Sequence, residues 1–175
     1  DMPIDAEFAD ALRGRCPWLS DDASAHRGEH SIEVVVPFLQ RLGPRGVTLV
    51  PIIVGSENEE EFTQLAHALS ELIRGRFDST LLIASSDLSQ HESQARGAVR
   101  DQILLNDIER MDTASLVQRV KGEATLMCGY GAAVCVLKAA HALGADPVSR
   151  IAYGTSAQAG GDPNSVTGYA GLIVT

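Results

Sequence analysis

The sequence has few aromatic residues, no long hydrophobic run and no excess of positive charge. Phe, Trp and Tyr make up 5% of the 175 residues and apolar residues 45%, so Val, Leu, Ile and Ala must build the core. No apolar run approaches the roughly 20 residues of a membrane-spanning helix, and no signal peptide is visible. The net charge of −9 argues against nucleic acid and anionic membranes as partners. We therefore expect a cytoplasmic protein without either partner.

The cysteines show no spacing that is typical of a structural site. Cys16, Cys128 and Cys135 are odd in number and form neither a Cys-x-x-Cys pair nor a zinc-finger pattern. Free thiols in a reducing compartment are the expected state.

Strand-like and helix-like segments alternate along the chain. Residues 47–54 are almost wholly apolar and β-branched, which is typical of a strand buried on both faces, and residues 79–84 form a second such run. The closing strands, near residues 149–155 and 165–175, are separated by a Gly/Pro turn and are candidates for an antiparallel pair. The pattern predicts a layered α/β fold with a central, mostly parallel (mixed) sheet flanked by helices. Helical patterns cover residues 5–15, 56–74, 91–110, 113–120 and 132–143, and one more begins at residue 30.

His30 opens a segment that is expected to be helical and to kink or end near Pro37. From the residues alone, His30 is a metal ligand, a general base or a structural polar residue at a helix start. Glu33, one turn later, would orient its ring. His26 has the i, i+4 spacing of a zinc-binding pair, but Gly28 in a polar loop argues against continuous helix, so His26 ranks below His30.

Asp87 directly follows the second apolar strand. One interpretation is a helix N-cap, for which Asp is favoured. The other is a functional acid that holds an imidazole or activates water, with His91 as the acid/base residue if it points inward.

Cys128 is the most informative thiol in the sequence. It precedes an apolar helix and is followed by Gly129 and Gly131, which allow close approach of backbone. A helix N-terminus favours the thiolate, which binds metals and attacks electrophiles. The alternative is a small buried apolar residue, which is also the expected role of Cys135 within the same helix.

Five motifs, taken together, resemble the Memo family, whose bacterial and archaeal members are called AmmeMemoRadiSam system protein B. They occur in the family's order and span residues 29 to about 170. The motifs are EHSIEVVVPFLQ (29–40), PIIVG (51–55), SSDLS (85–89), CGYG (128–131) and SVTGY (165–169).

The Memo family is in turn similar to class III extradiol (LigB-like) dioxygenases, which are non-haem iron enzymes. The resemblance implies an α/β fold with a metal pocket in which His30 and Cys128 are metal ligands and Asp87 is a pocket acid. Imidazole with thiolate suits Fe or Cu, with Zn as a further option. It also implies that the first metal histidine of the family lies upstream of Asp1. We therefore expect residues 1–175 to form a single Memo-like domain that lacks the family's N-terminal segment.

This chain departs from the family at one position of the pocket. Relatives carry histidine directly after Ser-Asp-Leu-Ser, where this chain has Gln90 followed by His91. Either His91 substitutes from the neighbouring position, or the acid/base residue is lost, because an amide does not titrate.

Two functions of different classes follow from these observations. The first is a metal-associated oxidoreductase with a dioxygenase-like pocket, acting on a small molecule, in which Asp87 and His91 manage protons. The second is a binding or adaptor protein that captures a peptide or protein partner in the same pocket without turnover. The bacterial family name also implies radical-SAM system proteins as partners.

Overall fold

The computed structural model describes residues 2–122 and 127–175, and its class is α/β. None of the helices in these two ranges is long and apolar enough to cross a bilayer. The helices are α1 (Ala6–Arg15), α2 (Val36–Leu42), α3 (Glu59–Arg74), α4 (Gln94–Glu109), α5 (Thr113–Gly122) and α6 (Tyr130–Ala142). The strands are β1 (Val148–Thr155) and β2 (Gly168–Val174), and short 3-10 turns lie at Phe77–Ser79 and Ser156–Ala159.

Packing of α3 against α6 forms the centre of the core. The buried face of α3 repeats at helical spacing, with Phe62, Leu65, Leu69 and Ile73 each at most 4% exposed. The helix begins after Asn58, whose side chain accepts a hydrogen bond from the Glu60 amide at 2.9 Å. Three glutamates then occupy its first turn, where the helix dipole favours negative charge.

The closing hairpin confirms the expected antiparallel pair. β1 pairs with β2 from Val148 opposite Val174 to Thr155 opposite Gly168, with an irregularity in register between Arg150 and Ala152. Tyr153 and Leu172 are partly buried against the core, whereas Ile173 is 50% exposed. Inward and outward side chains therefore alternate, as on one covered face of a sheet.

The two apolar runs that were expected to form central strands are extended but form no ladder in the described part of the chain. Residues 47–54 make a single parallel bridge, between Leu49 and Ile4. Val54 and Leu82 pack against the core, while Leu81 is 75% exposed. A ladder needs a neighbouring strand in register, which strand propensity cannot supply. The α/β class is thus confirmed, and the central parallel sheet is not seen here.

The helix that was expected to open at His30 instead begins at Val36. The Glu29 carboxylate accepts hydrogen bonds from the amides of Ser31 (2.8 Å) and Ile32 (3.3 Å) and so holds a turn over residues 31–35. These bonds lower the pKa of Glu29. Pro37 lies in the first turn of α2, where a missing N–H costs nothing, so it starts the helix rather than ending it.

Candidate functional site

Ser86 connects the loop that contains Asp87 with the loop that contains Cys128. Its hydroxyl oxygen accepts a hydrogen bond from the Gly129 amide at 2.8 Å and lies 3.9 Å from the Cys128 sulfur. The hydroxyl also donates to the Asp87 carbonyl at 2.7 Å. One side chain thus fixes the start of α6 against the end of the extended segment 79–84. We call residues 85–87 and 127–129 together the junction.

The junction needs glycine at position 129. A Cβ atom there would lie 2.6 Å from the Ser85 carbonyl oxygen and 2.7 Å from Ser86 Cβ, both closer than real contacts. A Cβ at Gly131 would lie 3.0 Å from Val54 Cγ1. The carboxyl ends of the two extended segments therefore both abut the first residues of α6. Polar sites of α/β proteins gather at such ends.

The two cysteines of this region have opposite environments. Cys128 is exposed and unpaired, immediately before α6. Cys135 is 2% exposed, and its thiol donates to the Phe62 carbonyl at 3.7 Å. Burial raises the pKa of the Cys135 thiol to about 12, so this sulfur stays protonated. The expectation that Cys135 belongs to the core is confirmed, and the thiol that can meet a ligand is that of Cys128.

Tyr130 follows Cys128 by two residues and is the first residue of α6. Its ring meets the Phe62 ring edge to face, with centroids 5.9 Å apart. Burial of the phenol raises its pKa. Tyr130 therefore anchors the start of α6 on α3.

Asp87 has a partner that the sequence did not indicate. The Gln90 side-chain amide donates to Asp87 Oδ2 at 3.0 Å. The amide of Gln90 can orient the carboxylate but cannot exchange a proton with it. His91 is exposed, has a φ of 57°, and forms no hydrogen bond with Asp87. A proton-transfer role for Asp87 and His91 stays a prediction.

Behind the junction lies a fully buried carboxylate, that of Asp101 on α4. Its Oδ1 accepts from the Ser89 amide at 2.8 Å, and its Oδ2 accepts from the Tyr153 hydroxyl at 2.8 Å. Burial and this carboxylate raise the pKa of Tyr153. The residues after Asp87 are thereby tied to α4 and to β1.

The start of β2 holds the same loop from another side. The Leu88 amide donates to the Gly168 carbonyl at 3.0 Å, and the Gly168 amide donates to the Ser89 carbonyl at 2.9 Å. A Cβ at position 168 would lie 1.8 Å from Asp101 Oδ2, so only glycine fits between loop and carboxylate.

Sequence reasoning missed Ser86 and Asp101, and it named Gln90 without its contact to Asp87. For Asp101 a signal was present, because it shares the helical face of Leu104 and Ile108, where an apolar residue is expected. Ile103, one position away from the buried Leu104, is by contrast 40% exposed. A charged residue on a buried helix face indicates a partner elsewhere in the fold.

No hydrogen bond of the described residues connects the His30 side chain with the junction. His30 is exposed, and its carbonyl accepts from the Val34 amide at 3.2 Å. Within residues 2–122 and 127–175, no group of three or more His, Cys, Asp or Glu residues is placed to hold a metal ion. The exposed thiol and imidazole suit a soft metal chemically, but the described donors do not complete a coordination sphere.

Comparison with known sequences agrees with the motifs that lie around this junction. The family model described as "Memo-like protein" matches residues 1–173. The chain belongs to the Memo family. The MEMO1 family protein of Methanocaldococcus jannaschii is 34% identical over 177 residues, and that of Methanobrevibacter smithii is 36% identical over 173 residues.

The match covers nearly all of this chain but less of each relative. It covers 99% of the chain in both cases, against 62% of the M. jannaschii protein and 61% of the M. smithii protein. The Memo chain described here thus spans less than two thirds of the length of these relatives.

Proposed function

We propose that the protein is an oxidoreductase that acts on a small molecule with non-haem dioxygenase-like chemistry. His30 and Cys128 of this Memo chain would contribute to its metal pocket. The observation that supports it is the junction, where Ser86 joins an exposed, unpaired thiol to the Asp87 loop. Thiolate and imidazole together favour Fe or Cu, with Zn as a further option. Residues beyond those described would complete the coordination sphere.

Each residue of the pocket would have a separate task. A bound metal would supply the redox chemistry, and Cys128 with His30 would hold it. Asp87, oriented by Gln90, would accept a hydrogen bond from the substrate or a water molecule. His91 would exchange protons with solvent, since it is exposed.

The proposal includes the central parallel sheet that the class of fold implies. Residues 47–54 and 79–84 would be neighbouring strands whose carboxyl ends face α6. What supports this is the contact of both ends with α6, through Val54 and Ser85. The pocket would then have the location that is typical of open α/β sheets.

Metal affinity of matched variants tests the ligand assignment. Fe(II), Cu(I) and Zn(II) are titrated anaerobically into the full-length protein, as parent, and into its Cys128→Ser and His30→Ala variants, with Cys135→Ser and His141→Ala as controls of the same residue types. We expect affinity to fall at least ~10-fold in the first two variants, since ligand loss is large compared with changes around the ligand. The controls should bind like the parent.

Two results would contradict the proposal. Equal affinity of Cys128→Ser and parent would remove Cys128 from the ligand set. Failure of the parent to bind any of the three metals would favour the second candidate, a protein that binds a peptide or protein partner without turnover.

A further inference from the structure

We propose that Asp101 is a positioning residue for the Cys128 site, and that it acts by holding residues 86–89 in register with α6. Nothing in the metal chemistry requires this carboxylate, which lies on α4 and is fully buried. The positioning role rests on the proposed location of the site at Cys128. It does not depend on which metal or substrate that site binds.

Asp101 connects four parts of the fold at one point. From α4, its carboxylate binds the Ser89 amide in the loop and the Tyr153 hydroxyl in β1, each at 2.8 Å. Gly168, at the start of β2, lies against the same carboxylate. Both carboxylate oxygens are therefore used, and one of them determines where the loop backbone lies.

The effect reaches Cys128 over a short path of fixed groups. Ser89 is fully buried and held by both Asp101 and Gly168. Three residues earlier, Ser86 accepts from the Gly129 amide and touches the Cys128 sulfur. With residues 88 and 89 fixed, the Ser86 hydroxyl has little freedom, so the junction is held by a buried carboxylate that contacts neither Cys128 nor Asp87.

A second buried carboxylate on the same helix provides a matched control. Asp107 is 1% exposed and pairs with Arg119 at 2.5 Å and with Arg110 at 3.3 Å. It makes no hydrogen bond to the loop or to the junction. Asp107→Asn is therefore the same change, on the same helix and at a similar burial, without a connection to Cys128.

The test measures amide hydrogen exchange in the metal-free chain by NMR. The Gly129 amide reports the junction, because it donates to Ser86, and the Leu69 amide in α3 reports global opening. Compared are the parent, Asp101→Asn, Tyr153→Phe and Asp107→Asn. An asparagine offers one acceptor oxygen to the two donors, and Tyr153→Phe removes one donor while the Ser89 bond stays.

We expect Gly129 to exchange at least ~10-fold faster relative to Leu69 in Asp101→Asn, the equivalent of about one hydrogen bond. Tyr153→Phe should show a smaller change of the same sign, and Asp107→Asn an unchanged ratio. If Asp101→Asn fails to fold, Tyr153→Phe decides the question. An unchanged Gly129-to-Leu69 ratio in the variants of Asp101 and Tyr153 that fold would overturn the positioning role. Because no metal is added, this outcome is independent of the metal titration.

Discussion

The beginning and the interior of α6 differ in almost every respect although they adjoin. In the interior, Val134 and Leu137 are at most 4% exposed and pack with α3, and Cys135 is buried among them. At the beginning, Cys128 is exposed and Gly129 is pressed against Ser86 by backbone and hydroxyl contacts. The interior is held by apolar burial, whereas Cys128 and Gly129, just before the helix, are held by a few polar contacts and by the absence of a side chain at position 129.

The difference explains why one thiol of this region is available for chemistry and another is not. A thiol reacts and binds metals as thiolate, which water and polar neighbours support and an apolar core opposes. Cys135 has the apolar environment, and Cys128 has a free path to solvent. The comparison yields three predictions, in order of decreasing effect on stability.

The largest effect should come from the interior. Phe62→Ala removes a fully buried ring of α3 that packs against Tyr130, the first residue of α6. The free energy of unfolding should therefore fall by about 3–5 kcal/mol. Urea denaturation measures it. Phe77→Ala is the control, since Phe77 is 58% exposed and its loss should cost less than about 0.5 kcal/mol. Similar losses in both variants would mean that the α3–α6 contact is not the centre of the core.

An intermediate effect should come from the junction. Gly129→Ala places a methyl group 2.6 Å from the Ser85 carbonyl oxygen, and overpacking of this kind costs about 1–3 kcal/mol. The matched control is Gly14→Ala in α1, where a methyl group meets nothing within 4 Å and should stabilise the helix by up to about 1 kcal/mol. If Gly129→Ala were as stable as the parent, the loop that contains Ser85 would not lie as close to Gly129 as described.

The smallest effect, counted for one unit of pH, should appear at high pH and separate the two cysteines. The pKa of Cys135 is near 9 in the unfolded chain and about 12 in the folded protein. Its contribution to stability is complete below pH 9, and between pH 9 and 12 the unfolded chain alone releases the proton. Stability should therefore fall by about 1 kcal/mol per pH unit in that window.

A variant and a labelling experiment check this assignment. In Cys135→Ala the slope of unfolding free energy above pH 9 should be shallower than in the parent. Iodoacetamide at pH 8 should label Cys128 in the native protein and leave Cys135 unmodified, as mass spectrometry of peptides would show. Equal labelling of the two thiols would contradict their different environments.

A similar contrast separates the closing hairpin from the two extended segments. Both regions are rich in apolar and β-branched residues, and the sequence predicted strands in both. β1 and β2 are joined by residues 156–167 and pair in register. Residues 79–84 pair with no neighbouring strand in the described chain, so they form no ladder. Strand propensity alone did not supply the pairing, which depends on a partner.

Sequence by itself determined much about this protein. It determined the α/β class, the helices over α3, α4 and α6, the antiparallel hairpin, the burial of Cys135 and the membership of the Memo family. These follow from local periodicity, from turn residues and from motifs that are read along the chain. It also identified Cys128 and Asp87 as neighbours of helix and strand ends.

Only the tertiary structure decided how those ends meet. Ser86 faces Cys128 across 42 positions of sequence, and Asp101 reaches Tyr153 across 52. Local patterns carry no information on such distant pairs, because their partners are chosen by the packing of whole elements. The start of α2 was decided by the hydrogen bonds of Glu29 and by the position of Pro37. Both compete with helix propensity, and a periodic pattern of apolar residues does not show such competition.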